Sequence, residues 1–199
     1  MVRSLMMGPL RYTDLREELP GVATDLLTAR LRTLEDLGYV RRRRLPRPAA
    51  ASVYELTETG QRLTIVVLEL ARVGLMHLGA PAEDEDVSAE AVVLSLRASF
   101  RPEVAGDRHE RYQLDLEGDQ FAVTVHPGWA ETARGPADDP KLSVISSVRT
   151  FALLISRALP LQSALANGDV EIRGTKRDAE HFLAIFSYPG SRGALPAGR

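Results

Sequence analysis

Between residues 24 and 37, Leu27, Leu31 and Leu34 stand at i, i+4 and i+7, which predicts a helix with one buried stripe. Gly38 follows as its C-terminal stop. Upstream, residues 12–19 form a short amphipathic segment closed by Pro20-Gly21. Downstream, residues 39–45 and 52–56 are two extended runs joined by a Pro/Ala loop, a hairpin signal. Thr57 can then cap a helix whose apolar positions include Ile65, Val66, Leu68, Leu70, Val73 and Leu75.

After an acidic, Pro-bearing stretch the rhythm changes. Residues 88–100 read as a helix. Tyr112, Leu114 and Leu116, then Phe121, Val123 and Val125, alternate with polar neighbours on either side of Glu117-Gly118-Asp119, which predicts a hairpin. Two more strands are expected at 129–134 and 141–146, and helices at 147–158 and 160–167. A short strand at 169–173 and a last helix at 175–186 complete the pattern. The fold class is therefore α+β: a mainly helical N-terminal part with a β-wing, then an α+β domain whose mostly antiparallel sheet is covered by helices. The expected domains are 1–79, a linker at 80–87, a second domain at 88–186, and a Pro/Gly/Ser/Arg-rich tail at 187–199 with little to bury.

Helix, tight turn, helix and two-stranded wing, in that order, form a winged helix-turn-helix, the arrangement that major-groove recognition needs. The stripe of Leu27, Leu31 and Leu34 leaves Asp25, Thr28, Ala29 and Arg32 facing away, with Arg30 at the edge. Thr28 can touch a base edge or a thymine methyl, Arg32 a guanine or a phosphate, and Arg30 a phosphate. Asp25 is favourable at the helix N-terminus. The wing opens on Arg41-Arg42-Arg43-Arg44, whose side chains alternate in direction along a strand. The expected DNA-contacting set is Thr24, Thr28, Ala29, Arg30, Arg32, Arg41, Arg42, Arg43, Arg44 and Arg47. The plainer reading of the arginine tract is an edge strand protected by charge.

The overall charge of −2 changes the picture only when divided. Residues 1–80 hold 12 Lys/Arg against 9 Asp/Glu, and residues 81–199 hold 13 against 18, so the basic excess lies on the winged half.

Met7-Gly8-Pro9-Leu10-Arg11-Tyr12-Thr13-Asp14-Leu15-Arg16, the run from Leu27 to Val40, and Tyr54-Glu55-Leu56-Thr57-Glu58-Thr59-Gly60 resemble HxlR-type winged-helix regulators over about residues 2–75. The resemblance implies bacterial regulators that act as homodimers on paired half-sites of double-stranded DNA. Against that pattern the chain begins inside the second helix, which leaves the dimer interface open. Ala23 stands where Ser or Thr usually caps, with Thr24 able to cap one residue later. The hairpin around Glu117-Gly118-Asp119, the segment from Arg134 to Pro140, and the run from Leu165 to Gly174 are similar to sterol-carrier-protein-like domains over about residues 88–186. That resemblance implies a small sheet with helices on one face, sometimes enclosing an apolar cavity. Phe121, Val123, Val125, Trp129, Phe151, Leu154, Ile155 and Leu159 are the expected lining; each taken singly reads first as core, since a domain of this size needs that packing anyway.

Catalytic signatures are missing. His77, His109, His126 and His181 show no metal-binding spacing and read as surface or helix-end residues. There is no cysteine, GxGxxG, GxxxxGK[ST] or GxSxG. No enzyme activity, cofactor or metal is expected, and with no apolar run long enough for a bilayer no membrane association is expected either. The sequence thus reads as a cytoplasmic, dimeric transcriptional regulator responding to a small apolar effector. The alternatives are a lipid-binding carrier, or a purely structural oligomerisation domain, with the basic half as a docking element.

Overall fold

The leucine stripe makes its helix as expected: α3 spans Thr24–Asp36, with Leu27 and Leu31 buried and Leu34 half-buried. The computed structural model describes residues 1–47, 50–77, 80–82 and 85–186, so the tail 187–199 and part of the acidic stretch lie outside the described residues. The chain divides into two compact units, Met1–Leu68 and Glu69 onward.

In the first unit a short α1 (Val2–Leu5) and a two-residue β1 (Leu10–Arg11) precede α2 (Tyr12–Glu17) and α3. The wing is β2 (Val40–Arg44) and β3 (Ser52–Leu56), and α4 (Glu58–Leu75) follows. The three strands form one sheet in the order β1-β3-β2, with Arg42 opposite Tyr54 and Arg41 opposite Glu55. Helix α1 stands where the resemblance puts the start of the chain inside a helix, whereas β1 was not legible in the sequence, because two residues show no periodicity.

The junction between wing and α4 is tightly built. The Thr57 hydroxyl accepts from the Gly60 amide at 3.0 Å, which is the expected cap, and donates to the Gly38 carbonyl at 2.6 Å. A side-chain carbon on Gly60 would lie 1.9 Å from the Tyr39 carbonyl oxygen, so only glycine lets α4 start so close to the turn after α3. Gly38, at φ +73°, ends α3.

The second unit holds α5 (Ala89–Ser99), α6 (Pro102–Ala105), β4 (Glu110–Leu116), β5 (Asp119–His126), β6 (Trp129–Arg134) and β7 (Leu142–Ser146). Helices α7 (Val148–Ile155) and α8 (Leu161–Asn167), strand β8 (Val170–Arg173) and helix α9 (Lys176–Ile185) complete it. The sheet order is β6-β5-β4-β7-β8, antiparallel except for the β4–β7 pair. Glu117 and Gly118 both take positive φ at the β4–β5 turn, as a two-residue hairpin demands. Alternation along β4 and β5 buries Tyr112, Leu114, Leu116, Phe121, Val123 and Val125 on one face. Their cover includes a chain of rings: Phe182 lies 4.9 Å from both Tyr112 and Phe186, and Phe186 lies 5.9 Å from Phe100.

The division between units falls inside α4, and the acidic stretch lies within the second unit. The end of α4 is held there, since Leu75 is buried and Arg72 Nε donates to the Ala98 carbonyl at 3.0 Å. Arg149 likewise donates to the carbonyls of Ala82 and Pro81 at 2.8 and 3.3 Å, fastening residues the sequence suggests as linker.

Candidate nucleic-acid interface and the interior of the second unit

Helix α3 is set against α2 by hydroxyls. Tyr12 Oη and Thr28 Oγ1 are 3.1 Å apart, and both reach the Thr24 carbonyl, at 3.1 and 2.9 Å. Two hydroxyl protons serve these contacts, and donation from Tyr12 to Thr28 and from Thr28 to Thr24 satisfies both donors. Thr28 is thus half-buried and engaged within the unit, where the sequence suggested a side chain facing away. Thr24 opens the helix after Ala23 but makes no cap; its backbone carbonyl is the residue's structural contribution. Ala29, Arg30 and Arg32 are exposed along the helix, and Asp25 sits in its first turn.

The wing's four arginines separate by strand parity. Arg41 Nε donates to Glu55 Oε1 at 2.7 Å, and Arg43 Nη2 lies 2.9 Å from Glu55 Oε2. The Glu55 side chain is only 13% exposed. Arg43 and then Arg41 hold its carboxyl below the usual carboxylate range, and burial, which acts the other way, does not reverse this. Arg42 and Arg44 share the opposite face with Tyr54 and Ser52, above Val40 and Leu56 in the unit's core. Both are exposed and make no ion pair or side-chain hydrogen bond among the described residues. Arg47, beyond the strand, is exposed as well. The structure therefore brings the wing residues together as expected but assigns them unequal electrostatic states. Glu55, which pairs with two of the four arginines, was not singled out by sequence reasoning.

In the second unit, Phe121, Val123, Val125, Phe151, Leu154 and Ile155 are all buried, and Leu159 is half-buried. Beside Phe151 and Leu154 the space left is about 10 Å³, bounded also by Val144, Leu161 and Phe182, which is ordinary packing. Trp129 is not part of that interior. It is 50% exposed and stacks on His126 with ring centres 4.1 Å apart. Its strand neighbours Ala130 and Thr132 face inward, so parity turns Trp129 to the other side. A larger cavity of about 270 Å³ lies elsewhere in the unit, lined by Leu75, Val87, Ala91, Val92 and Ala152 with Ser88 and Asp86 among its polar groups. None of the expected lining residues belongs to it.

One polar cluster in this unit was not foreseen. Glu110, 8% exposed, accepts from the buried Tyr112 hydroxyl and from Lys141 Nζ at 2.7 Å; His181 Nε2 is 3.3 Å away. Lys141 also reaches Asp178 Oδ1 at 3.1 Å on α9. Burial pushes the Glu110 carboxyl up, but Lys141 and Tyr112, helped by the charge of His181, hold it below its ordinary value. His181, expected at a surface or helix end, is half-buried against this carboxylate.

Residues 1–81 match the HxlR-like helix-turn-helix family. The HTH-type transcriptional regulator YodB of Bacillus subtilis is 34% identical over 70 residues, which is 35% of this chain and 62% of YodB. An uncharacterised HTH-type transcriptional regulator of Synechocystis, sll1512, is 34% identical over 74 residues, 37% of this chain and 55% of the relative. The chain thus spans about three fifths of the length of the curated relatives it matches. Among solved structures, the palmitated SCP2L2 of Aedes aegypti matches 52% of this chain and all of its own at 19% identity, with a TM-score of 0.42.

Proposed function

We propose that this chain, whose first 81 residues carry an HxlR-like helix-turn-helix, is a DNA-binding transcriptional regulator that works as a homodimer in the cytoplasm. The observation that carries the reading is the joint exposure of Arg30 and Arg32 on α3 and of Arg42 and Arg44 on the adjoining wing. A helix face reads base edges while a basic hairpin follows the flanking phosphates. Thr24, Thr28 and Ala29 set or border the helix face, and Arg41, Arg43 and Arg47 complete the basic surface of the wing. Catalysis has no place in this reading.

Dimerisation is assigned to α4. Ile65, Val66, Leu70 and Val73 fall on one side of the helix, Met76 follows its last residue, and all five are exposed, an arrangement that a second copy of the same helix would cover. A small apolar effector held within residues 88–186 completes the proposal. What supports it is the cavity beside Val87, Ala91 and Val92, whose walls are mostly apolar, rather than the filled interior around Phe151. Effector binding would shift DNA affinity only by preferring one arrangement of the dimer.

The test is selection of duplex DNA by the full chain from a random pool, followed by affinity measurement on the recovered sites. A recurrent paired half-site, with affinity reduced by Arg32→Ala, is the expected outcome. Recovery of unrelated sequences bound equally by the Arg32→Ala protein would contradict the reading.

A further inference from the structure

We propose that Glu55 divides the arginine tract of the wing, retaining Arg41 and Arg43 in an internal ion pair so that Arg42 and Arg44 are the pair that takes up DNA phosphates. This rests on the DNA-binding reading above and sharpens it, since four arginines in sequence do not amount to four equivalent contacts.

The geometry gives the reason. Arg41 stands directly across the sheet from Glu55, and Arg43 stands diagonally across; each reaches a different carboxylate oxygen, at 2.7 and 2.9 Å. The carboxylate is largely withdrawn from water, whereas the two guanidinium groups remain 65% and 45% exposed. A phosphate that recruited either arginine would have to weaken a formed charge-assisted bond. It would also leave a part-buried carboxylate with one of its two partners drawn away and a second negative charge close by. Arg42 and Arg44 carry no such cost, because they are exposed and without a side-chain partner among the described residues. They project from the same face, two residues apart, a spacing of about 7 Å along a strand that suits neighbouring phosphates on one backbone.

The consequence concerns selectivity. Each phosphate contact adds sequence-independent, salt-sensitive affinity. Withholding two of them lowers binding to arbitrary DNA without touching the α3 face that reads bases, so Glu55 acts as a positioning residue that favours specific over nonspecific association.

The experiment is equilibrium binding of the full chain to a random-sequence duplex over about 50 to 200 mM salt, compared across single variants. Arg42→Ala and Arg44→Ala are each expected to reduce the slope of log affinity against log salt by about 0.9. Arg41→Ala and Arg43→Ala are expected to leave it unchanged. Glu55→Gln is expected to steepen it by about 0.9 for each arginine released, with tighter binding at low salt. Equal slope losses at all four arginines, or a folded Glu55→Gln protein with an unaltered slope, would overturn the proposal while leaving DNA binding intact. If the parent chain shows no salt-dependent duplex binding, the DNA-binding reading fails and this inference with it. Should Glu55→Gln fail to fold, the contrast between Arg41→Ala and Arg42→Ala still decides the matter.

Discussion

Glu55 and Glu110 are each met by two basic side chains, in two different units. Each carboxylate is withdrawn from water and held by two or more basic groups: Arg41 and Arg43 for Glu55, Lys141 and His181 for Glu110. Around Glu110 the cluster closes inward. It includes the hydroxyl of a fully buried tyrosine, and through Lys141 and Asp178 it ties β4 and β7 to α9. Around Glu55 it stays on the surface, where it alters which cations of the wing are available. The difference teaches that what an ion pair does depends on what it surrounds: the inner cluster ties a helix to a sheet, and the outer one decides which side chains of its strand stay unpaired.

Apolar side chains are also left in two different states. Phe151, Phe182 and Phe186 are enclosed almost completely, whereas α4, which runs from the first unit into the second, leaves Ile65, Val66, Leu70 and Val73 exposed, as is Met76 just past its end. The sharpest way to break this contrast is Phe182→Ala. Removing the ring that touches Tyr112, Phe151 and Phe186 should cost about 3–5 kcal/mol. Thermal unfolding should then show an early transition for the second unit. A single transition at the parent temperature would deny that this ring chain is the core. Leu70→Glu is the counterpart on the exposed side. Sedimentation is expected to show dimers replaced by single chains, with folding unaffected; a dimer that persists would remove α4 from the interface.

A smaller effect is expected from Glu110→Gln. It removes the charge that Lys141 and His181 face and weakens the bond from Tyr112, which should cost about 1–3 kcal/mol in chemical denaturation. Its pH signature is distinctive. The Glu110 carboxyl sits below its ordinary value of 4.5, so its contribution is present above that pH and lost as acid protonates the folded form. Lys141 and Tyr112 are both shifted above their ordinary values of 10.5 and 10.0, Lys141 chiefly by its bond to Glu110 and Tyr112 chiefly by burial. Their contributions are present below about pH 10 and fade as the pH rises further. The parent should lose stability at both extremes, and Glu110→Gln should flatten the acid limb and the part of the alkaline limb that Lys141 supplies, leaving the part that comes from the burial of Tyr112. Parallel curves for the two proteins would show the cluster to be incidental.

Much of this architecture was written in periodicity. The stripe of Leu27 and Leu31, the alternation through β4 and β5, and the glycine-bearing turn at Glu117 and Gly118 each encode a local rule that needs no partner elsewhere. Pairings across distance were not legible. Arg41 and Glu55 are adjacent only because of the wing's register, and Glu110, Lys141 and His181 converge only once β4, β7 and α9 are packed. Trp129 shows a third case. Its inclusion among pocket residues overlooked strand parity, since Val125 pairs with Ala130 and leaves the tryptophan on the face of Glu131. Thr28 shows a fourth, because a hydroxyl on the predicted outer face was already engaged by Tyr12.

The central claim, that α3 and the wing form one DNA-binding face, is tested most directly by the salt dependence of duplex affinity in a single protein carrying Arg30→Ala, Arg32→Ala, Arg42→Ala and Arg44→Ala. Circular dichroism and melting should match the parent, since all four side chains are exposed. The slope is expected to fall by up to about 0.9 for each arginine that meets a phosphate, and selectivity for the recovered site to disappear. A folded variant that binds the same DNA with the parent's slope and selectivity would contradict it.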